Sequence, residues 1–268
     1  SPFGVTCLNL AMGKTGQMGD RMFEFYQNGT EGLLPEFRRD FTSPLPASEA
    51  YYHLGMINTA QRFTVEAMGA LPYFNKSGRC SKRLAETNLI NGQYEVAAKY
   101  LRALRKTLFY KDWAEDAMTY LYNEEKINAH KEWGWLRQIR YTEDFLFSDR
   151  EMDVMLGLLY QHDHRNRMAF EYMLAYVLQQ RDLERFMKYY PLGKHAGYDH
   201  IPRSYQEALV YVWTQTHKNF QGMPWSISPQ VVRDVTEFAR IYTSQQDARP
   251  VLQARFGSTY WNYLLLGK

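Results

Sequence analysis

The sequence predicts an all-α protein in which antiparallel helix pairs stack side by side as an α–α solenoid, ending in a C-terminal helical cap. Three observations predict it. Apolar residues recur on a helical period from one end of the chain to the other. Alternating β-type patterns are nearly absent, and the one Asn-Gly, Asn91-Gly92, sits between two helical stripes. Finally, a Leu followed by a small residue, with another small residue twelve positions on, occurs three times. The sets are Leu54-Gly55 with Ala67, Leu84-Ala85 with Ala97, and Leu156-Gly157 with Ala169. Two helices joined by a tight turn need small side chains where their axes come closest. The first two sets are 30 residues apart and the next two 72, near one and two periods of a helix-pair repeat.

The bulk properties exclude other classes. At 268 residues the chain is long enough for a sizeable core. With 45% hydrophobic and 23% charged residues it lacks the composition of a disordered chain. A net charge of +3 is too small for a nucleic-acid binder or for membrane-surface binding by charge alone. Apolar runs such as Ala208–Trp213 fall far short of the roughly 20 residues that span a bilayer, so no membrane insertion by this chain is expected. Ser1–Leu10 has no basic stretch followed by an apolar core, and the missing Met suggests a processed or excised fragment. Cys7 and Cys80 are too few for a disulfide framework and read as two ordinary thiols.

In chain order, Leu8–Phe25 reads as a degenerate first pair with Gly16 at its turn, and Asn28–Ala47, rich in Gly and Pro, as an irregular insert. Tyr94, Ala97, Ala98, Leu101, Leu104 and Leu108 form one stripe, backed by Glu95, Lys99, Arg102 and Lys106. Pro191–Pro202 is a second irregular connection. It separates a degenerate repeat array, residues 1–190, from a C-terminal helical extension, residues 191–268. Within the extension, Tyr205, Ala208, Leu209, Val212 and Trp213 form a stripe. Asn219–Ile227 reads as a loop. Ser228-Pro229 opens a further stripe of Val231, Val232, Val235, Phe238, Ala239 and Tyr242 as N-cap and first helical residue. The aromatic ending, Phe256–Leu266, fits a segment that packs back on the array, as terminal repeats must seal the core.

Ser81–Leu108 resembles a tetratricopeptide repeat. It has Leu84-Ala85 in the first helix, Gly92 at the turn, Tyr94 two residues later, and Ala97, Leu101 and Leu104 in the second helix. The closing Pro is missing, and Phe109 stands near its place. The resemblance implies a right-handed superhelix whose concave surface comes from the first helix of each pair. It places Tyr52, Lys82, Glu86 and His162 in that groove. Glu49–Gly55 and Leu84–Leu104 also resemble an uncharacterised Bacteroides-type family in which a membrane-embedded half precedes a helical-repeat domain. That likeness implies the soluble, extracytoplasmic part of a membrane-anchored protein.

No residue set forms a catalytic signature, and no cofactor or metal is expected. His162-Asp163-His164 reads as a polar inter-helix turn, with Asp163 or Asn166 capping the helix that begins near Arg167. His195 and His200 read as parts of a solvated loop. An enzyme reading would require His162, His164, His195 or His200 to converge with a carboxylate in a deep pocket. The adjacent acids Glu115/Asp116, Glu124/Glu125 and Glu143/Asp144 point away from one another on helices, so they do not pair across a cleft. Lys82, Arg83, Lys99, Arg102, Arg105 and Lys106 form a basic patch that reads first as a solvated outer face balanced by Glu86 and Glu95, with an acidic partner or lipid headgroups as the functional alternative. Trp133, Trp135 and Trp225 suit either interhelical packing or stacking on sugars and peptides.

The expected function is a non-catalytic scaffold that binds a protein or peptide, or the rest of its own polypeptide. A carbohydrate-binding surface protein is the second reading and a histidine-based metalloenzyme the third. The architecture has its own test. Leu101→Ala should cost about 2–5 kcal/mol in urea unfolding, whereas a change within error would mean the stripe is misplaced.

Overall fold

The computed structural model describes residues 2–36, 43–72, 75–143, 148–244 and 247–267. Among them the chain is all-helical. In order come α1 (Pro2–Thr15), α2 (Met18–Arg21), α3 (Pro44–Leu54), α4 (Ile57–Gly69), α5 (Gly78–Ile90), α6 (Tyr94–Leu104), α7 (Lys111–Met118) and α8 (Glu124–Ala129). Then follow α9 (Trp133–Ile139), α10 (Met152–His162), α11 (Arg167–Gln179), α12 (Leu183–Tyr189), α13 (Arg203–Thr216), α14 (Pro229–Ser244), α15 (Arg249–Phe256) and α16 (Tyr260–Leu266). Among the described residues no helix is long and apolar enough to cross a membrane.

The helices pack as neighbouring pairs. Three hairpins, α3–α4, α5–α6 and α10–α11, hold the three sequence sets, and α4 stacks on α5. Leu84, Ala85, Ala97, Leu156 and Ala169 are all buried at these contacts. The first set, however, is out of register with the second. Gly55 stands at the C-terminal end of α3 with φ +90°, so it corresponds to the turn residue Gly92 (φ +74°) and not to the mid-helix Ala85. A glycine there answers a backbone demand for the left-handed conformation, and the short spacing came from confusing the two roles. The insert is also shorter than its prolines suggested. Pro44 and Pro46 lie in the first turn of α3, where a missing N–H costs nothing. Residues 37–42 of the insert lie outside the described set.

Sequence-visible caps stop and start the helices. Ser228 Oγ accepts from the Val231 amide at 3.3 Å, as its position before Pro229 predicted. Asn166 Oδ1 accepts from the Ala169 amide at 3.2 Å, and its Nδ2 donates to the Leu54 carbonyl at 2.9 Å. One side chain therefore caps α11 and ties it to the end of α3. Gly16 (φ +68°) turns the chain after α1 as expected, but its partner α2 is a single turn.

Two stripes end differently from the sequence reading. Helix α6 stops at Leu104, leaving Leu108 88% exposed rather than buried with Leu101. On α14 the buried set is Val231, Val235, Phe238 and Ile241, while Ala239 and Tyr242 face outward. Adjacent helical residues diverge by about 100°, and where both are apolar the sequence period alone does not single out the buried one.

The main core centres on α11, where every residue from Ala169 to Gln179 is buried. Helix α1 runs against both α3 and α11, and α2 packs on α11 and α13. Gly19 makes the α2–α13 approach possible, since a Cβ there would meet Pro202 at 2.7 Å. The C-terminal segment enters the main core through Tyr205, Ala208, Leu209, Tyr260 and Tyr263. It also builds a smaller core from Val210, Val231, Val235, Phe238, Ile241, Leu252, Phe256 and Trp261.

Glu207 joins the two cores. Its carboxylate accepts from the Tyr260 amide at 2.6 Å and from Arg203 Nε at 2.9 Å, and its carbonyl accepts from Trp261 Nε1 at 2.8 Å. Burial pushes its pKa up to about 7, against the opposing pull of the Tyr260 amide and Arg203. A carboxyl raised on folding favours the folded state while protonated. Its contribution is full below the unfolded value near 4.5 and is lost as pH rises through about 7. Raising the pH from 5 to 8 should therefore weaken wild-type stability through this group, and Glu207→Gln should flatten that part of the slope. Urea midpoints at the two pH values check it; identical slopes in both proteins would refute the assignment.

Candidate functional site

The first helices of the N-terminal pairs present one continuous polar strip. Helix α3 supplies Glu49, Tyr52 and His53, and α5 supplies Arg79, Lys82, Arg83 and Glu86. Both sets follow i, i+3, i+4 spacing, which puts them on one helix face. Arg83 is the centre. Its guanidinium lies 3.5 Å from the centroid of the buried Tyr52 ring. One Nη reaches Glu49 at 2.6 Å across the pair boundary, and the other reaches Glu86 at 2.9 Å. Lys82 meets Glu86 at 3.7 Å and stands over the Trp113 ring of α7 at 5.0 Å. Arg79 approaches Glu49 at 3.7 Å and is largely exposed.

At its other end the strip runs under α1 and α9. Lys14 Nζ stands 3.3 Å from His53 Nδ1, and Glu132 approaches the same nitrogen at 3.6 Å. Beyond His53 lies a cavity of about 420 Å³ lined by Gly13, Lys14, Glu132, Trp135, Arg165 and Arg167, among others. Helix α9 is held over α5 by Arg137 and Arg140. Both donate to the Ile90 carbonyl, at 3.0 and 2.6 Å, which the end of α5 would otherwise leave unpaired.

The electrostatics follow from burial. Burial alone would raise Glu49, but Arg83, with His53 and Arg79 beyond it, holds the carboxyl below its ordinary range. Deeper in, burial raises Glu86 despite Arg83 and Lys82. Burial, then the charges of Lys14 and Arg83, pushes the His53 imidazole down to about 4, so it is neutral at pH 7. The Tyr52 hydroxyl is raised well above its usual value by burial and then by Glu86.

Three of the four groove residues expected from sequence thus come together: Tyr52, Lys82 and Glu86. His162 does not join them. Its exposed ring lies against Tyr141 at 5.6 Å, at the end of α10. The basic patch also divides. Lys82 and Arg83 belong to the strip on α5, whereas Lys99 and Arg102 lie on the exposed side of α6 and Arg105 and Lys106 follow its end.

The remaining histidines of the enzyme reading, His164, His195 and His200, do not converge. His164 and His195 are in edge contact at 5.3 Å, and His164 also meets Tyr160. His200 bonds Asp199 at 2.6 Å and Asp20 at 3.0 Å, and these hydrogen bonds, Asp20 first, raise its pKa. Among the described residues no group of three or more His, Cys, Asp or Glu is placed to hold a metal ion. A hollow of about 790 Å³ opens beside His200 between the Pro191–Pro202 connection and the loop before α14. Tyr190, Tyr198, Tyr205 and Trp225 line it, with Lys194 and Asp199 among its polar groups. Cys7 and Cys80 are free thiols, one exposed and one buried.

A family model described as "Family of unknown function (DUF6057)" matches residues 1–267. The chain belongs to that family. No curated protein and no solved structure matches it.

Sequence reasoning missed Glu49, His53, Lys14 and Glu132 as members of the strip. A signal for two of them was present, because Glu49, Tyr52 and His53 share one face of α3. Lys14 and Glu132 arrive from distant parts of the chain and left no such signal. The His53 environment is directly measurable. Its imidazole should titrate in NMR with a midpoint near 4 rather than 6.5, and Lys14→Met should raise that midpoint by removing a nearby positive charge. A midpoint at or above 6.5 in the wild-type protein would contradict the geometry.

Proposed function

We propose that this chain is a non-catalytic scaffold that binds a protein or peptide, with helix pairs arranged in the manner of tetratricopeptide repeats. The strip on α3 and α5, together with Trp113 of α7, is its docking surface. One observation carries the reading: first helices of consecutive pairs contribute interlocked side chains to a single mixed-charge face. Arg83 is fixed by a ring below and a carboxylate on each side, so little rotamer freedom is left to lose on binding. Arg79 and Lys82 stand at the open edge with Trp113 beside them. Arg and Trp of this kind dominate binding energy at protein interfaces. The surface fits a segment that offers a carboxylate to Arg79 and Lys82 and an apolar side chain to Trp113. That segment belongs to a separate protein or to another part of the same polypeptide, and the membrane-anchored setting implied by resemblance is part of the same proposal.

A displayed library of random peptides, panned on the wild-type chain, tests this. Enriched peptides should carry acidic residues next to an aromatic or aliphatic one. Their affinity should fall about tenfold or more in an Arg79→Glu/Lys82→Glu variant. Peptides that bind both proteins equally, or no enrichment at all, would end the reading.

A second reading, carbohydrate binding, is favoured by the hollow beside His200. Tyr190, Tyr198 and Trp225 line it with Asp199 among the polar groups, a set of residue types that suits the C–H faces and hydroxyls of a sugar. Binding on a glycan array that is lost in Trp225→Ala would support it, and an array without a bound glycan would remove it.

A further inference from the structure

Leu108 and Phe109 are each 88% exposed, more than any other large apolar side chain among the described residues. They form the tip of the turn between α6 and α7. That turn is built to project them. At its base Thr107 Oγ1 donates to the Leu104 carbonyl at 2.7 Å, and the Tyr110 amide donates to Thr107 Oγ1 at 3.3 Å. The Tyr110 ring packs so closely on Gly78 that a Cβ there would stand 2.7 Å from it. Thr107 and Tyr110 thus anchor both sides of the pair, while Leu108 and Phe109 point away from the core.

The end of α6 and the turn itself are basic, while the acids Asp112, Glu115 and Asp116 follow along α7. From Lys99 to Asp112 the chain carries five basic residues, Lys99, Arg102, Arg105, Lys106 and Lys111, against one acid. The whole chain, by contrast, is nearly balanced, with 32 basic and 29 acidic residues. All five are exposed, and among the described residues none has a carboxylate within ion-pair distance. The contact of Tyr110 with Gly78 brings the α4–α5 loop to the same edge, where exposed Lys76 extends the basic rim.

We propose that this turn is a peripheral membrane contact: Leu108 and Phe109 enter the interfacial region of an anionic bilayer while the surrounding lysines and arginines meet its headgroups. A protruding pair of apolar side chains needs a receiving medium. A bilayer interface accepts such a wedge without a matching pocket, whereas a protein partner must supply one. Unpaired charges of one sign, spread around the wedge, are neutralised collectively by a layer of anionic headgroups within a Debye length. Neither net charge nor the length of apolar runs reports such a feature, because the basic residues are concentrated locally and only two residues insert. The contact is independent of the α3–α5 strip and does not rest on its function.

Vesicle flotation of the full chain tests the proposal. The wild-type chain should float with vesicles of phosphatidylcholine and 30% phosphatidylglycerol, and not with phosphatidylcholine alone. The bound fraction should fall about tenfold or more in Leu108→Asp/Phe109→Asp and in Arg105→Glu/Lys106→Glu, and in 0.5 M salt. In Phe109→Trp, which keeps the tip apolar, the difference spectrum on adding anionic vesicles should show a blue-shifted tryptophan component that is missing from the same difference in the wild-type chain. No flotation with anionic vesicles overturns the proposal, as does flotation unchanged by the tip substitutions. So does self-association, seen by sedimentation, that requires Leu108 and Phe109 while vesicles are ignored.

Discussion

The structure depends on burying α11 on all sides. Every residue from Ala169 to Gln179 is buried, so the helix needs neighbours around its whole circumference. Those neighbours come from across the chain: α10 beside it in sequence, α1 and α2 from the start, and α12 after it. The last helix joins them through the Tyr263 hydroxyl, which donates to the Gln179 carbonyl at 2.9 Å. The polar groups on α11 then dictate further contacts, because an unpaired buried polar atom is costly. Glu171 takes Arg167 at 2.7 Å, and Gln179 donates to Gln27 at 3.0 Å. Gln27 in turn accepts from Asn9 of α1 at 3.0 Å. A single helix thereby holds the N-terminal segment, a hairpin and the C-terminal segment in one body.

The strip on α3 and α5 follows a different rule. Its charges are half-buried, and such pairs add little net stability because desolvation offsets their attraction. They give orientation instead. Arg83 can satisfy Glu49 and Glu86 together only when α5 is in one rotation and one height relative to α3. The side chains that set this register also form the strip on which docking is proposed.

The two charged regions of the α5–α6 hairpin show what organisation means physically. On α5, Arg83 sits between two carboxylates and over an aromatic ring, so its charge is locally spent. On α6 and the turn after it, the basic residues have no carboxylate within ion-pair distance among the described residues, and the apolar pair beside them is exposed. A closed network rigidifies a surface, whereas an open one leaves charge available to something outside the molecule.

Much of the fold was legible locally. Leu84, Ala85, Ala97 and Leu101 revealed a hairpin, Asn91-Gly92 its turn, and Ser228 and Asn166 two helix starts, because each acts within a few residues of its own position. That Tyr52, Lys82 and Glu86 lie on the first helices of neighbouring pairs was legible for the same reason. Leu108 was misread because a period shows which face a residue would take if the helix continued, not where the helix ends. Gly55 was misread because a small residue can serve packing or backbone conformation equally well. Lys14 over His53, Glu132 above the strip and His162 apart from it were decided by tertiary structure alone. Their places depend on how α1, α9 and α10 fold back on distant helices, and such contacts leave no periodic trace in the chain. Local periodicity and capping chemistry determined the helices, the hairpins and the faces they bury. The closing of those faces around α11 decided which side chains meet and which, like Leu108 and Phe109, are left facing outward.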